Sequence, residues 1–170
     1  MAETGEESTG PGDALIRGAR SADVPAIAGL DQRITGSAKP DYWADTFARY
    51  GKRPNRFFLV AEDRDHGLVG FIIGEVRAWE FGSPPCGWIF ALDVDPAFRL
   101  RKIGSRLFDA ICACLAESGV DTLRTMLARD DDLNMAFFRS QGMMGGPFIQ
   151  LEMPLDPRRD GAASSGSRLS

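Results

Sequence analysis

The sequence predicts an α/β (α+β) domain in which a mixed, mostly antiparallel sheet is flanked by helices. Three observations predict it. The 170 residues are 44% hydrophobic and 26% charged, enough for one packed core and too few for two. In the middle of the chain, segments rich in β-branched and aromatic residues follow one another with no helix between them. Segments with apolar residues at helical spacing come before and after, and these are left to cover the faces of the sheet.

Taken in order, Ala14 to Ala19 reads as a short strand. Ser21 then offers an N-cap to a helix whose apolar positions are Val24, Ile27, Ala28 and Leu30. A second helix opens at Pro40, carries Trp43, Phe47 and Tyr50, and stops at Gly51. Arg56 to Glu62 and Leu68 to Arg77 form a hairpin across Asp63 to Gly67, which leaves the lone His66 in a solvated turn. Gly87 to Val94 is a third clear strand, ended by Asp95 and Pro96. From Gly104 a helix follows, with Leu107, Ile111, Cys114 and Leu115 on one stripe and Gly119 at its end. Val120 to Ala128 reads as a strand, Leu133 to Gln141 as a short helix and Phe148 to Pro154 as a last strand.

Residues 14–155 are thus expected to form the single domain, with an acidic tail over 1–13 and a Ser-, Gly- and Arg-rich tail over 156–170. The net charge is −4; Glu3, Glu6, Glu7 and Asp13 of the first tail account for it, so the remainder is balanced and suggests no nucleic-acid partner. No apolar run approaches the roughly 20 residues of a membrane helix and the N-terminus is not a leader, which together predict a cytoplasmic protein without a membrane partner. Three cysteines cannot all pair internally. Cys112 and Cys114 have no second cluster beside them, so neither a disulfide framework nor a metal site is expected. No partnered histidine equips any cysteine as a nucleophile.

The stretch richest in chemistry is Leu92 to Phe108, LDVDPAFRLRKIGSRLF. A strand ends at Pro96, and a turn with Arg99, Arg101 and Lys102 leads into a helix whose first residues include Gly104 and Ser105. Backbone N–H groups at a helix start, with a residue lacking Cβ and three cations beside them, make a site for a phosphate or pyrophosphate. It is not a Walker loop and has no G-x-G-x-x-G.

The run Arg99-Leu100-Arg101-Lys102-Ile103-Gly104 resembles the R/Q-x-x-G-x-G/A signature of the GNAT acyltransferases. Val94-Asp95-Pro96 before it, Leu107-Phe108 after it and Phe137 to Met143 further on also look like that family, and the element order fits over about Leu15 to Leu155. The resemblance implies acetyl-CoA as cosubstrate and an amine acceptor, joined by direct attack. It implies that Leu92, Asp93 and Val94 bind the pantetheine as an added strand would, and that Arg99, Leu100, Arg101, Lys102, Ile103, Gly104 and Ser105 hold the pyrophosphate. Arg101, Lys102 and Arg106 are then available to the other phosphate, and the N–H near Val94 to the oxyanion.

Three positions depart from the family pattern. Lys102 stands for its first glycine, Phe138 for the tyrosine that protonates the leaving thiolate, and Trp88 for its glutamate base. Phe138 is then expected to pack beside the sulfur at the catalytic position. The base is sought among Glu80, Glu75, Asp93 and Glu152. Asp93 falls on the strand face opposite Leu92 and Val94 by period-two alternation, so Glu80, in the turn Trp79 to Pro85, is preferred, with Glu75 next. Trp79, Trp88, Tyr42 and Trp43 are expected to line the acceptor pocket. The alternative is an acyl-CoA-binding sensor or interaction module of little catalytic power.

Overall fold

The computed structural model describes residues 14–155; the two expected tails lie outside the described residues. Five strands pair in the order β1-β2-β3-β4-β5: β1 (Leu15–Gly18), β2 (Arg56–Asp63), β3 (Gly67–Arg77), β4 (Cys86–Val94) and β5 (Leu123–Arg124). The first four are antiparallel neighbours, and β5 joins β4 in parallel. Helices α1 (Val24–Thr35) and α2 (Pro40–Tyr50) lie between β1 and β2 in the chain, α3 (Ile103–Glu117) follows β4, and α4 (Asp132–Ser140) follows β5. The mixed, mostly antiparallel sheet with flanking helices is the expected fold class.

Alternation along β3 builds both faces. Phe71 and Ile73 pack with Phe58, Val60, Trp43, Ile27 and Leu30 under α1 and α2, while Ile72 joins Leu107, Ile111, Leu115 and Phe138 under α3 and α4. With both faces buried, β3 reads as a nearly unbroken apolar run. Helix α3 lies close to the sheet because Gly74 and Gly87 present no side chain to it. A Cβ on Gly74 would stand 2.9 Å from the Trp88 carbonyl oxygen and 3.0 Å from Ile111 Cδ1, and one on Gly87 would stand 2.8 Å from Leu115 Cδ1. Gly74→Ala is therefore expected to lower unfolding free energy by about 1–3 kcal/mol, the range for overpacking a core. Urea titration of both proteins checks it.

The C-terminal expectations need correction. The strand over Val120 to Ala128 shrinks to Leu123–Arg124, because only these two residues of the segment pair with β4. Phe148 to Pro154 forms no strand. Ile149, Leu151 and Met153 are exposed there; alternation supplies a pattern, but a strand also needs an edge to bond, and this segment bonds none in the sheet. Smaller differences lie at helix ends. Ser21–Asp23 forms a 3₁₀ turn ahead of α1 instead of capping it directly, and α3 begins one residue early, at Ile103. His66 is in the expected turn, its ring against Asp63 Oδ1 at 2.7 Å.

Candidate active site

Two local features of β4 create a cleft. The first is a bulge: Ile73 pairs with Ala91 and Gly74 with Ile89, so Phe90 is an extra residue on β4. Simple alternation would put Asp93 on the same face as Ile89, under α3. The bulge shifts the phase by one, so that Leu92 and Val94 pack on the α3 side and Asp93 lies toward Asp31 and Lys39 on the α1/α2 side.

The second feature is a fork. β5 pairs with β4 only at Gly87↔Leu123 and Trp88↔Arg124, and the Thr125 hydroxyl then donates to the Ile89 carbonyl at 2.9 Å. Past that point the strands diverge, and among the described residues Ala91 to Val94 have no strand beside them on the β5 side. Into the fork opens a cavity of about 340 Å³ bounded by Phe90 to Asp93, Asp31, Lys39, Tyr42, Trp43, Thr125 and Phe138. Such a volume lies within the range of small-molecule sites.

Asp93 is the perturbed acid of the cleft. Burial, with the Asp31 carboxylate nearby, pushes its carboxyl up to about 6 against the opposing pull of Lys39 and Arg99. Asp31 itself is only 3% exposed and is held from two sides, by the Trp43 indole N–H at 3.0 Å and by Lys39 Nζ at 3.0 Å from Oδ2. Phe138, also buried, closes the cleft opposite and stacks edge-on against Phe108 and Phe137.

At the mouth of the fork, beyond Val94, the chain turns through Pro96–Phe98 into α3. Asp95 anchors this turn: its backbone N–H donates to Val69, its carboxylate accepts from the Ala97 N–H at 3.0 Å, and Arg33 reaches it at 3.0 Å. Leu100 and Lys102 are then left-handed, with φ of 66° and 60°, a conformation that costs a side-chain-bearing residue about 1–2 kcal/mol. Lys102 holds it as N-cap of α3, where a glycine would be unstrained. The first-turn N–H groups of a helix have no acceptor within it. Here they meet Arg99, Arg101 and Lys102, all exposed, with the Arg101 guanidinium 4.8 Å from the Phe98 ring centre. Gly104 lets α3 start against Phe137, whose Cε2 would lie 3.1 Å from a Cβ there.

The fold thus brings Leu92, Asp93, Tyr42, Trp43 and Phe138 to one cleft and Arg99 to Ser105 to its mouth. Glu80 and Trp79 stand outside it: the 3₁₀ turn Glu80–Gly82 is exposed, with Trp79 69% accessible, and neither borders the cavity. Glu75 is engaged by Arg77 at 3.0 Å and Arg56 at 3.6 Å. Trp88 lies under the Arg77 guanidinium, bordering a separate apolar cavity beside β5. Glu152 is exposed on the segment that forms no strand. Sequence reasoning passed over Asp31 and Lys39, although Asp31 carried a signal. It interrupts the apolar stripe of Ile27, Leu30 and Ile34, and a carboxylate facing a core is buried only with partners.

Among the described residues no His, Cys, Asp or Glu grouping is arranged to hold a metal, and no helix is long and apolar enough to cross a membrane. Burial raises the thiols of Cys112 and Cys114, which disfavours the reactive thiolate.

No curated protein sequence is significantly similar to the chain. Solved structures with the same fold include an aminoglycoside acetyltransferase, meta-AAC0020, from an uncultured soil metagenomic sample, at 19% identity and a TM-score of 0.68, covering 85% of this chain and 97% of that one. Another is the aminoglycoside 6'-N-acetyltransferase AAC(6')-Ih from Acinetobacter baumannii, at 12% identity and a TM-score of 0.72, covering 84% and 99%. A third, AAC(6')-Iy in complex with CoA, has 15% identity and a TM-score of 0.72 over 83% and 94%. At these identities the likeness is one of fold. The family model "Acetyltransferase (GNAT) family" matches residues 24–143, a span that holds the forked strand, the basic turn and the helix behind it, and by that match the chain belongs to the acetyltransferase (GNAT) family.

Proposed function

We propose that the protein transfers an acetyl group from acetyl-CoA to the primary amine of a small acceptor, with Asp93 as the base. The observation that carries this reading is the fork: an open strand edge runs from a cation-flanked helix start directly to a cleft holding a carboxylate of raised proton affinity.

The free backbone groups of Ala91 to Val94 match the amides of pantetheine, which would bind as a strand is added to a sheet edge. The first turn of α3, with Arg99, Arg101 and Lys102, suits the pyrophosphate. The thioester would then lie beside Phe90 and Ala91, in the cleft that Asp93 also borders. An alkylammonium must lose a proton before it attacks; Asp93 accepts it directly or through one water. The nitrogen then bonds to the thioester carbon, the C–S bond breaks, CoA leaves as thiolate, and the nitrogen sheds its second proton to water. A carboxylate titrating near 6 is largely ionised at neutral pH yet more basic than an ordinary aspartate, the compromise general-base catalysis favours. Glu80, the base preferred on sequence grounds, is too far along an exposed turn to border the cleft. Phe138 offers packing and no proton, and a thiol with reference pKa near 8.5 leaves tolerably without one. AAC(6')-Iy has been solved with CoA and with a bisubstrate analogue, CoA-S-monomethyl-acetylneamine, which supports CoA and amine sharing such a cleft on this fold.

Thiol release from acetyl-CoA over a panel of mono- and polyamines tests the reading. Amine-dependent release that disappears in Asp93→Asn is expected. CoA bound with no release for any amine would favour the sensor. The phosphate assignment has its own test. Arg99→Ala with Arg101→Ala is expected to weaken CoA binding about tenfold or more at low salt, with a shallower salt dependence because exposed charges are screened. Calorimetry at two salt concentrations gives both values, and unchanged affinity at low salt would remove these arginines from the site.

A further inference from the structure

The chain has three lysines, Lys39, Lys52 and Lys102, and one of them stands inside the cleft. Lys39 flanks the start of α2, just after the left-handed Gly36 (φ 74°) and before Pro40. Its side chain reaches into the cavity that Phe90 to Asp93 bound, with Nζ 3.0 Å from Asp31 Oδ2 and 3.1 Å from Oδ1. It remains 39% exposed, so it is not locked in a core. A primary alkylammonium therefore occupies the wall of the cleft where an amine acceptor is expected. We propose that Lys39 is an intramolecular acceptor, a self-modification site whose amine takes the acetyl group from a thioester held along β4.

This inference rests on the acyl-transfer reading above. Asp31 and the Trp43 indole N–H that orients it hold the lysine at the cleft, and Asp93 is near enough for Lys39 to act on its charge. The lysine Nζ gives its proton to Asp93 and leaves Asp31. Its lone pair forms the N–C bond with the thioester carbonyl carbon, the C–S bond breaks, CoA departs with the electron pair, and the nitrogen sheds its second proton to water. The product is a neutral amide on Lys39, so each chain reacts once. Tethering replaces an encounter with a local concentration, which is why a single lysine is favoured over others of similar chemistry. Neither of the other two borders this cavity. Lys52 lies beyond the C-terminal end of α2, and Lys102 caps α3 on the basic turn.

The experiment incubates the full chain with acetyl-CoA and no added amine, follows intact mass, and maps the modified peptide; a parallel tube contains the best acceptor from the amine panel. One acetyl per chain is expected, on Lys39, at a rate independent of protein concentration and about tenfold or more above that at Lys52 or Lys102. Lys39→Arg, which keeps a cation for Asp31 but a poor nucleophile, should abolish the single addition. Asp93→Asn should slow it about tenfold or more. Equal labelling of the three lysines, or a Lys39 rate unchanged by Asp93→Asn, overturns the inference. An unmodified Lys39 in protein that acetylates the added amine overturns it while leaving the transferase reading intact. Protein that binds acetyl-CoA but acetylates neither overturns both.

Discussion

Asp93→Asn is expected to lower kcat/KM for amine acetylation by about 10²–10⁴-fold, the range for loss of a general base, while CoA affinity stays within about twofold. The wild-type profile should fall as pH drops through about 6, where Asp93 takes up a proton. The variant's residual rate should lack that limb. The groups facing Asp93 are Asp31 on α1, Lys39 before α2 and Arg99 on the basic turn, so a limb that moves down in Asp31→Asn would be consistent with Asp93 as its source. Coincident profiles for wild type and Asp93→Asn would sink the assignment.

The same substitution should make the protein more stable above pH 6. Folding raises the Asp93 carboxyl from 3.8 to about 6, so the native state holds this proton more tightly than the unfolded chain does. The associated stability is fully present below about pH 3.8 and is lost as pH rises through about 6. Asparagine resembles the protonated acid at every pH. Its advantage is therefore absent near pH 4, grows between 4 and 6, and levels off above. The rise corresponds to about 3 kcal/mol at 1.36 kcal/mol per pH unit, and solvent at the cleft mouth reduces this to about 1–2 kcal/mol. Thermal unfolding at pH 4 and pH 8 measures the difference. A variant both slower and more stable is what an acid strained for function predicts.

The order of elements was legible because each core element carries its own periodicity: Phe71 and Ile73 alternate with Ile72, and Leu107, Ile111 and Leu115 recur on one helical face. The basic turn was legible because its residues are adjacent in the chain. The cleft was harder to read because it depends on a bulge and a fork. Period-two alternation correctly placed Asp93 opposite Leu92 and Val94, yet nothing in GWIFALDV announces the extra residue at Phe90 or says which face opens. Choosing Glu80 followed from proximity in sequence to aromatic residues, whereas burial of an acid depends on what folds over it. Here Asp31 on α1, Lys39 just before α2 and Trp43 on α2 come from some 50–60 residues upstream. Phe148 to Pro154 failed for the opposite reason: its local pattern suits a strand, but strand formation is decided by a partner edge.

The second large effect is expected at Trp43, which ties the α1/α2 core to the cleft. Its ring is 4% exposed, meets Phe71 edge-on at 4.9 Å between centres and touches Tyr42 at 5.0 Å, while its N–H holds Asp31 at 3.0 Å. Trp43→Ala removes a large buried side chain, at about 3–5 kcal/mol, and also strips a donor from a carboxylate that cannot turn to water. Trp43→Phe separates the two contributions. It keeps most of the apolar packing and leaves Asp31 with the Lys39 ammonium alone, at about 1–3 kcal/mol for the unmet acceptor. Urea unfolding of wild type and both variants should therefore give two distinct steps, with Phe intermediate. The kinetic signature should differ from that of the base. Asp31 borders the cleft as a carboxylate that an acceptor ammonium could meet, so Trp43→Phe, which orients it less firmly, should raise KM for the amine several-fold and leave the pH 6 limb in place, because Asp93 is still present. Stability equal to wild type in Trp43→Phe would show that the indole N–H contributes nothing to holding Asp31, and an unchanged KM would place Asp31 outside acceptor binding.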